Sequence, residues 1–403
     1  MLPDVVTRKL NRWKAFSLMS FVLKSLSALL KVISSGKLAL IIVFILMLFS
    51  FAGATLPQKD RVNPDDVAKW QQDHAAITAI AKPIGLFHVF TSWPFMITLV
   101  ILSVNTFTCT ILRFIKDGGF ACLRGPDGME KAGFLLLHIS LIILMAGGFI
   151  STAMKMNGYI LLTEGQTFIE NHESYLRIAE GPLRKKSHKN FAVKLNKVTT
   201  EYQKGFYQTD VTSTLEVFEQ KKKTKEATVR VNHPFSYKSL AFTHQDIGFS
   251  PRIEIKDKKT GSILFYSFVG LKTYDTEKGK EYRDFLPLDF LENRTILTVF
   301  PDYIMEDGKA VKVSDEPDNP LVRIEVEDQE GEVIVEDYLT LGSEVSIGDN
   351  ILKFTDLRRW VSFQVIEDPG YLTVCVSLWM GLAALLLRYI PDLKRWSVSS
   401  EIS

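Results

Sequence analysis

Histidine and cysteine are the side chains best suited to hold a metal or move a proton or electron. This chain of 403 residues has seven of the first and three of the second. Cys109, Cys122 and Cys375 make no CxxC pair and no CxxCH motif. Dithiol exchange by this chain alone and covalent haem in that form are therefore not expected. No GxSxG or HExxH is present, and no carboxylate pair lies in an apolar run, so hydrolytic chemistry has no support. His74, His172, His188, His233 and His244 show no HxH or HxxxH spacing and are expected to be exposed or hydrogen-bonded. His138 differs. It sits within "GFLLLHISLIILMAGGFI" (133–150), which carries no formal charge. An ionisable residue in such a run usually faces a bundle interior or a cavity. Phe134, Leu135, Ile142, Met145 and Phe149 fall on its helical face. That bulky apolar face with one nitrogen suits a flat hydrophobic cofactor needing one axial ligand, and haem iron commonly takes histidine. It suits an inter-helix hydrogen bond equally well. His88, beside Phe87, Phe90 and Trp93, is a second candidate ligand, and reads first as an interfacial anchor.

The elements that must position these residues are membrane spans. Four segments reach the roughly 20 apolar residues a spanning helix needs: 36–56, 92–112, 132–154 and 370–390. A cleaved signal peptide is a poor reading of the first, which starts 35 residues in. Lys and Arg crowd the N-terminal segment 1–35, the loop 113–131 (Arg113, Lys116, Arg124, Lys131) and the tail 391–403 with Arg388 before it. The positive-inside rule puts both termini and loop 113–131 in the cytoplasm, and loop 57–91 and region 155–369 outside. His138 then lies roughly 8–10 Å in from the cytoplasmic end of its span. With one ionisable residue and no inverted repeat, a transporter acting alone is not indicated.

Residues 5–34 alternate apolar and basic faces, which predicts an amphipathic helix on the inner membrane surface. A short helix is expected from about Asp65, closed by Lys82-Pro83. Region 155–369 is charge-rich, free of cysteine, and built of short alternating runs: "FAVKLNKV", "DVTSTLEVFE", "ATVRVN", "RIEIKD", "SILFYSFV", "LVRIEVED", "EVIVEDY", "ILKFTDL" and "VSFQVIED". Turn signals such as "KDKKTGS" and "SIGDN" separate several of them. The fold class is thus membrane α plus β: four transmembrane helices, with a large extracytoplasmic antiparallel β-sandwich or barrel-like domain between the third and fourth. A net charge of +2 gives no reason to expect a nucleic-acid partner.

Five phrases, in order along the chain, resemble the ResB (CcsB) family of System II cytochrome c biogenesis. They are "FAGATLPQ", "GLFHVFTSWPFMITLVILSVNTFTCTILR", "GFLLLHISLIILMAGGFI" with "GYILLTEGQ", "VRVNHPFSYKSLAFTHQDIG" and "FQVIEDPGYLTVCVSLWMGL". The match is weakest over 255–350. The resemblance implies a bacterial inner-membrane protein, a non-catalytic or co-catalytic subunit working with a ResC (CcsA) partner. Together they would carry haem b from the cytoplasmic side to the outer face, for attachment to the CxxCH of apocytochrome c. It implies His138 as an axial ligand, with the opposite ligand and the tryptophan-rich motif on the partner. Thioredoxin-like proteins would reduce the client thiols. The alternative is a structural membrane scaffold with a β-domain and no haem ligand of its own.

Overall fold

The computed structural model describes residues 30–400, save 60, 61, 63, 126, 185–187, 204–206, 277, 278, 289 and 292. The amphipathic helix expected over 5–34 lies outside the described residues, except at its last turn. The chain divides into a helical unit (through Lys155, with Glu180–Arg184 and from Asp368 on) and a β-rich unit (Met156–Ala179 and Lys185–Glu367).

In the helical unit, α1 is Gly36–Thr55, α2 Pro64–Asp73, α3 Ala75–Ala81, α4 Trp93–Lys116, α5 Gly128–Met154 and α6 Tyr371–Ser400. Four of these, taking α6 as Tyr371–Ile390, are long and apolar enough to cross a bilayer. Leu40, Ile41, Phe44, Met47 and Phe51 of α1 are exposed, and its buried residues are Ile42 and Gly53. An apolar surface of that kind suits lipid rather than water. α4 runs past 112 to Lys116, and α5 begins at Gly128 rather than 132, so the link between them is shorter than the charges suggested. Arg113 pairs with Asp117 across one turn, and the backbone N–H of Asp117 bonds the Arg113 carbonyl, which carries the helix beyond its apolar stretch.

Small residues set the α5–α6 seam. A Cβ added to Gly133 would meet the backbone of Ala384 and Arg388 at 2.7–2.8 Å. One added to Gly147 would meet Val374 N at 3.0 Å, and one added to Gly370 would meet the Gly147 carbonyl at 2.3 Å. Buried Ser140 lies on the same stripe, opposite Gly381. Seven-residue spacing of Gly133, Ser140 and Gly147 keeps one face of α5 against α6. Asp368 fixes the start of α6. Its Oδ2 accepts from the Ser151 hydroxyl at 2.7 Å, and its Oδ1 accepts from the Gly370 N–H at 3.0 Å. The "EDPG" phrase is thus a docking turn.

The β-rich unit pairs its strands antiparallel throughout, among the described ladders. A seven-stranded sheet is centred on two 18-residue strands, Leu240–Asp257 and Asn350–Glu367. A four-stranded sheet holds Thr167–Ile169, Ala192–Gln203, Tyr207–Glu219 and Lys222–Arg230. A five-stranded sheet is built on Arg294–Phe300 and Leu321–Glu327. The two long strands serve two cores. Phe242, Val361, Phe363 and Val365 pack in one, with Val193, Leu195 and Leu215 from the four-stranded sheet. Phe249, Ile253, Ile255, Leu352 and Phe354 pack in the other, with Leu297, Val322 and Ile324. The long pair is thus shared by two sandwich layers. Between the cores, Trp360 is buried opposite Gly248, where a Cβ would overlap its indole at 2.7 Å, and its Nε1 donates to the Leu271 carbonyl at 2.9 Å.

Candidate functional site

His138 sits ten residues into α5, about 15 Å along the helix from its start. Its Nδ1 lies 2.9 Å from the Phe134 carbonyl, one turn back, where the only role open to it is donation. In the neutral imidazole this leaves the lone pair on Nε2, free to serve as a metal ligand. A hydrogen bond to the helix's own backbone fixes tautomer and ring orientation, the task usually given to a support group behind a metal-binding histidine. The Phe134 ring packs on the imidazole with centroids 4.0 Å apart. The expected inter-helix hydrogen bond from His138 is not formed among the described residues. Met145, seven residues on along the same face, accepts from the Ser103 hydroxyl of α4 at 3.2 Å. The stripe carrying His138 therefore faces away from the glycine seam and toward α4.

Charged residues gather beside Phe134. The Arg113 guanidinium lies 4.3 Å from the ring centroid and that of Arg388 lies 6.0 Å away. They border a cavity of about 250 Å³ at the meeting of α4, α5 and α6, which Lys131, Asp117, Asp127 and Glu130 also line. Three basic and three acidic side chains there bring the cavity near electrical balance. The sequence marked Arg113 and Arg388 only as topology charges; their convergence on one ring is a tertiary fact. These residues could hold an iron porphyrin: one imidazole nitrogen for iron, apolar side chains along the same face, and two guanidinium groups about one turn away for its carboxylates.

His88 sits in a different place. It is exposed, in the 3₁₀ turn Leu86–Thr91, with φ −152° and ψ 53°. Gly85 (φ +74°) admits this fold of the chain; a Cβ there would crowd Ser92 and the His88 ring. Buried Gln58 binds the turn. Its amide donates to the carbonyls of Leu56 (3.1 Å) and Leu86 (3.0 Å), and its oxygen accepts from the Val89 N–H (3.1 Å). The "FAGATLPQ" phrase thereby clamps the loop that carries His88. His74 stacks on Trp70, centroids 4.3 Å apart and planes within 12°, and is bonded to the Trp70 carbonyl. Among the described residues, neither His88 nor His74 hydrogen-bonds to His138 or stacks on it.

In the β-rich unit, the "VRVNHPFSYKSLAFTHQDIG" phrase lines a cavity of about 460 Å³, with Arg230, Asn232, His244 and Asp246 among its walls. His244 Nε2 lies 2.9 Å from the Ser213 hydroxyl, and its Nδ1 is buried without a partner. Burial pushes the His244 imidazole down to about 4 and the Asp246 carboxyl above the usual range. Both shifts favour the uncharged form. Elsewhere in this unit, His188 is buried against Glu170 and His172 stands exposed beside it.

The fold and sites define a membrane protein of four apolar helices with a large antiparallel β-rich region inserted before the last. A family model described as "ResB-like family" matches residues 37–117 and 126–347, and the chain belongs to that family. It is similar to the cytochrome c biogenesis protein Ccs1 of Rhodomonas salina, at 21% identity over 92% of this chain and 90% of that protein. It is also similar to the cytochrome c biogenesis protein CcsB of Picosynechococcus, at 19% identity over 92% and 85%. CcsB of Crocosphaera subtropica matches at 18% over 93% and 88%. Among solved structures, cytochrome c heme lyase CcmF is similar with a TM-score of 0.28 and 10% identity, over 78% of this chain and 34% of that one. The chain spans about a third of that structure's length, and so low a score supports no argument about fold or activity.

Proposed function

We propose that this chain works in cytochrome c biogenesis as the haem-handling membrane subunit of a two-protein complex, with haem b as its cargo. The observation that carries the reading is His138: an imidazole in an apolar span, its Nδ1 bonded to the Phe134 carbonyl and its Nε2 left to bind iron. Arg113 and Arg388, both beside Phe134, would hold the propionates. A ResC-like (CcsA-like) multi-span partner would supply the opposite axial ligand and the outer site. There haem would be joined to the CxxCH of apocytochrome c, whose thiols separate thioredoxin-like proteins would keep reduced. The complex would sit in the cytoplasmic membrane, with both termini of this chain inside and the β-rich unit outside, where it would position apocytochrome. Membership of the ResB-like family and relatives named for cytochrome c biogenesis support this reading.

The test is the absorption spectrum of the chain co-purified with its ResC-like partner, for wild type, His138→Ala and His88→Ala. A Soret band lost or shifted in His138→Ala, restored by added imidazole and unchanged in His88→Ala, is the expected result. An unchanged band with normal cytochrome c output in His138→Ala would return the chain to the role of scaffold.

A further inference from the structure

We propose that His172 and His188 of the β-rich unit form a solvent-open binding site for a divalent transition-metal ion of the zinc class. They are sixteen positions apart, and sheet pairing brings them together. Thr167–Ile169 pairs with the start of Ala192–Gln203, Phe168 opposite Val193. The residues that follow the first strand and precede the second therefore meet.

Glu170 organises the meeting point. It is fully buried. Its Oε1 accepts from His188 Nδ1 at 2.6 Å and from the Tyr175 hydroxyl at 3.2 Å. Its Oε2 accepts from the backbone N–H groups of Lys189 and Asn190. With Nδ1 donating to a carboxylate, the neutral His188 ring carries its lone pair on Nε2. The His188 side chain is 9% exposed, and Nε2 is buried without a hydrogen-bond partner. A buried polar nitrogen left unpaired costs on the order of 1–3 kcal/mol. A metal ion on Nε2 would end that loss, and carboxylate behind imidazole is the usual support for a metal-bound histidine.

The second ligand is at hand. The His172 ring centroid is 5.7 Å from that of His188, and the two ligating nitrogens lie within 4.8 Å of each other. Zinc–nitrogen bonds of about 2.0–2.1 Å place two ligand nitrogens roughly 3.3–4.1 Å apart. The exposed His172 can close the remaining distance by turning its side chain. Imidazole donors select zinc, copper or nickel over calcium or magnesium, which prefer oxygen. Because His172 faces solvent, the other coordination positions go to water or an incoming ligand. None of these residues belongs to the haem site, so the two proposals stand or fall separately.

The experiment uses the full chain in detergent, purified with a histidine-free tag and stripped with chelator. Co²⁺ is titrated by its visible bands and then displaced by Zn²⁺. One equivalent per chain is expected. Affinity should fall at least tenfold in His172→Ala, an exposed position whose variant will fold, and in His188→Ala. Glu170→Gln should weaken binding about 10- to 100-fold, and exposed His233→Ala should change nothing. Uptake below one equivalent in wild type, wild-type affinity in His172→Ala, or equal loss in His233→Ala would each overturn the site.

Discussion

Gln58 satisfies three backbone groups with one amide, two of them roughly thirty residues away. Alanine there leaves the Leu86 carbonyl and Val89 N–H without that partner in a buried turn. The expected destabilisation is about 1–3 kcal/mol, read as a lower unfolding temperature of the detergent-solubilised chain. Gln58→Glu should do no better, because a carboxylate keeps the acceptor for Val89 but turns an oxygen toward the two carbonyls. The sequence shows Gln58 only as the end of a family phrase; nothing local names its partners. His138 was legible for the opposite reason, since a single imidazole in an uncharged run is conspicuous without any tertiary information. His244 yields a pH prediction. Its imidazole titrates near 4 when folded and near 6.5 when unfolded, so between these values the unfolded chain binds the extra proton. Its effect on stability is absent above pH 6.5 and grows as a penalty as pH falls toward 4. Asp246 opposes this, because its raised folded value makes the folded state the better proton binder just above the normal Asp range. Thermal melts from pH 7 to 4 should show a steeper acid loss in wild type than in His244→Gln; parallel curves would remove His244 as the cause.

At the level of elements, the α5–α6 pairing makes a sharp contrast between adjacent residues. A methyl on Gly147 would press into the backbone of α6, whereas one on Gly148 would meet nothing within 4 Å. Gly147→Ala should therefore cost about 1–3 kcal/mol through overpacking, and Gly148→Ala should be neutral or slightly stabilising. Gly370→Ala should resemble Gly147→Ala, since its Cβ would strike the Gly147 carbonyl. Unfolding temperatures of the three variants check this directly. The existence of the spanning helices is plain in the sequence, because twenty apolar residues in a row admit few other readings. Their ends are less so: Arg113 and Lys131 look like loop residues until their side chains are seen paired or packed on Phe134 and around its cavity. The β-rich unit shows the same limit. "ILKFTDL" and "VSFQVIED" read as two strands, yet they form one 18-residue strand, because Leu240–Asp257 pairs along its length through bulges at Phe354/Asp356 and Ser362/Phe363. Charged Arg358 and Arg359 break the alternation locally, but Arg358 reaches the Glu164 carbonyl and Arg359 the Tyr202 hydroxyl, so the strand continues. His172 and His188 show no ligand spacing in the sequence for a related reason: their meeting depends on strand pairing, and sequence spacing does not record it.

For the whole molecule, the proposed haem role depends on which way the bundle crosses the membrane. The basic ends of α4 and α6 and the start of α5 converge around Phe134, with Arg113 at 4.3 Å and Arg388 at 6.0 Å from its centroid. Three separate stretches of sequence thus place their positive charge at one end of the helix bundle. The prediction from the positive-inside rule is that this end faces the cytoplasm and that His138, one turn from Phe134, lies in the inner half of the bilayer. Cys122 lies in the short link between α4 and α5 and is a native reporter of that side. With Cys109 and Cys375 replaced by serine, an impermeant maleimide should label Cys122 in inverted membrane vesicles and not in spheroplasts. A cysteine at Lys259, an exposed position in the β-rich unit, should show the reverse pattern and prove that the reagent reaches the outer face. Labelling of Cys122 from the outside would invert the topology. His138 would then face the compartment where haem is used rather than the one where it is made, and the chain could not receive haem at that residue.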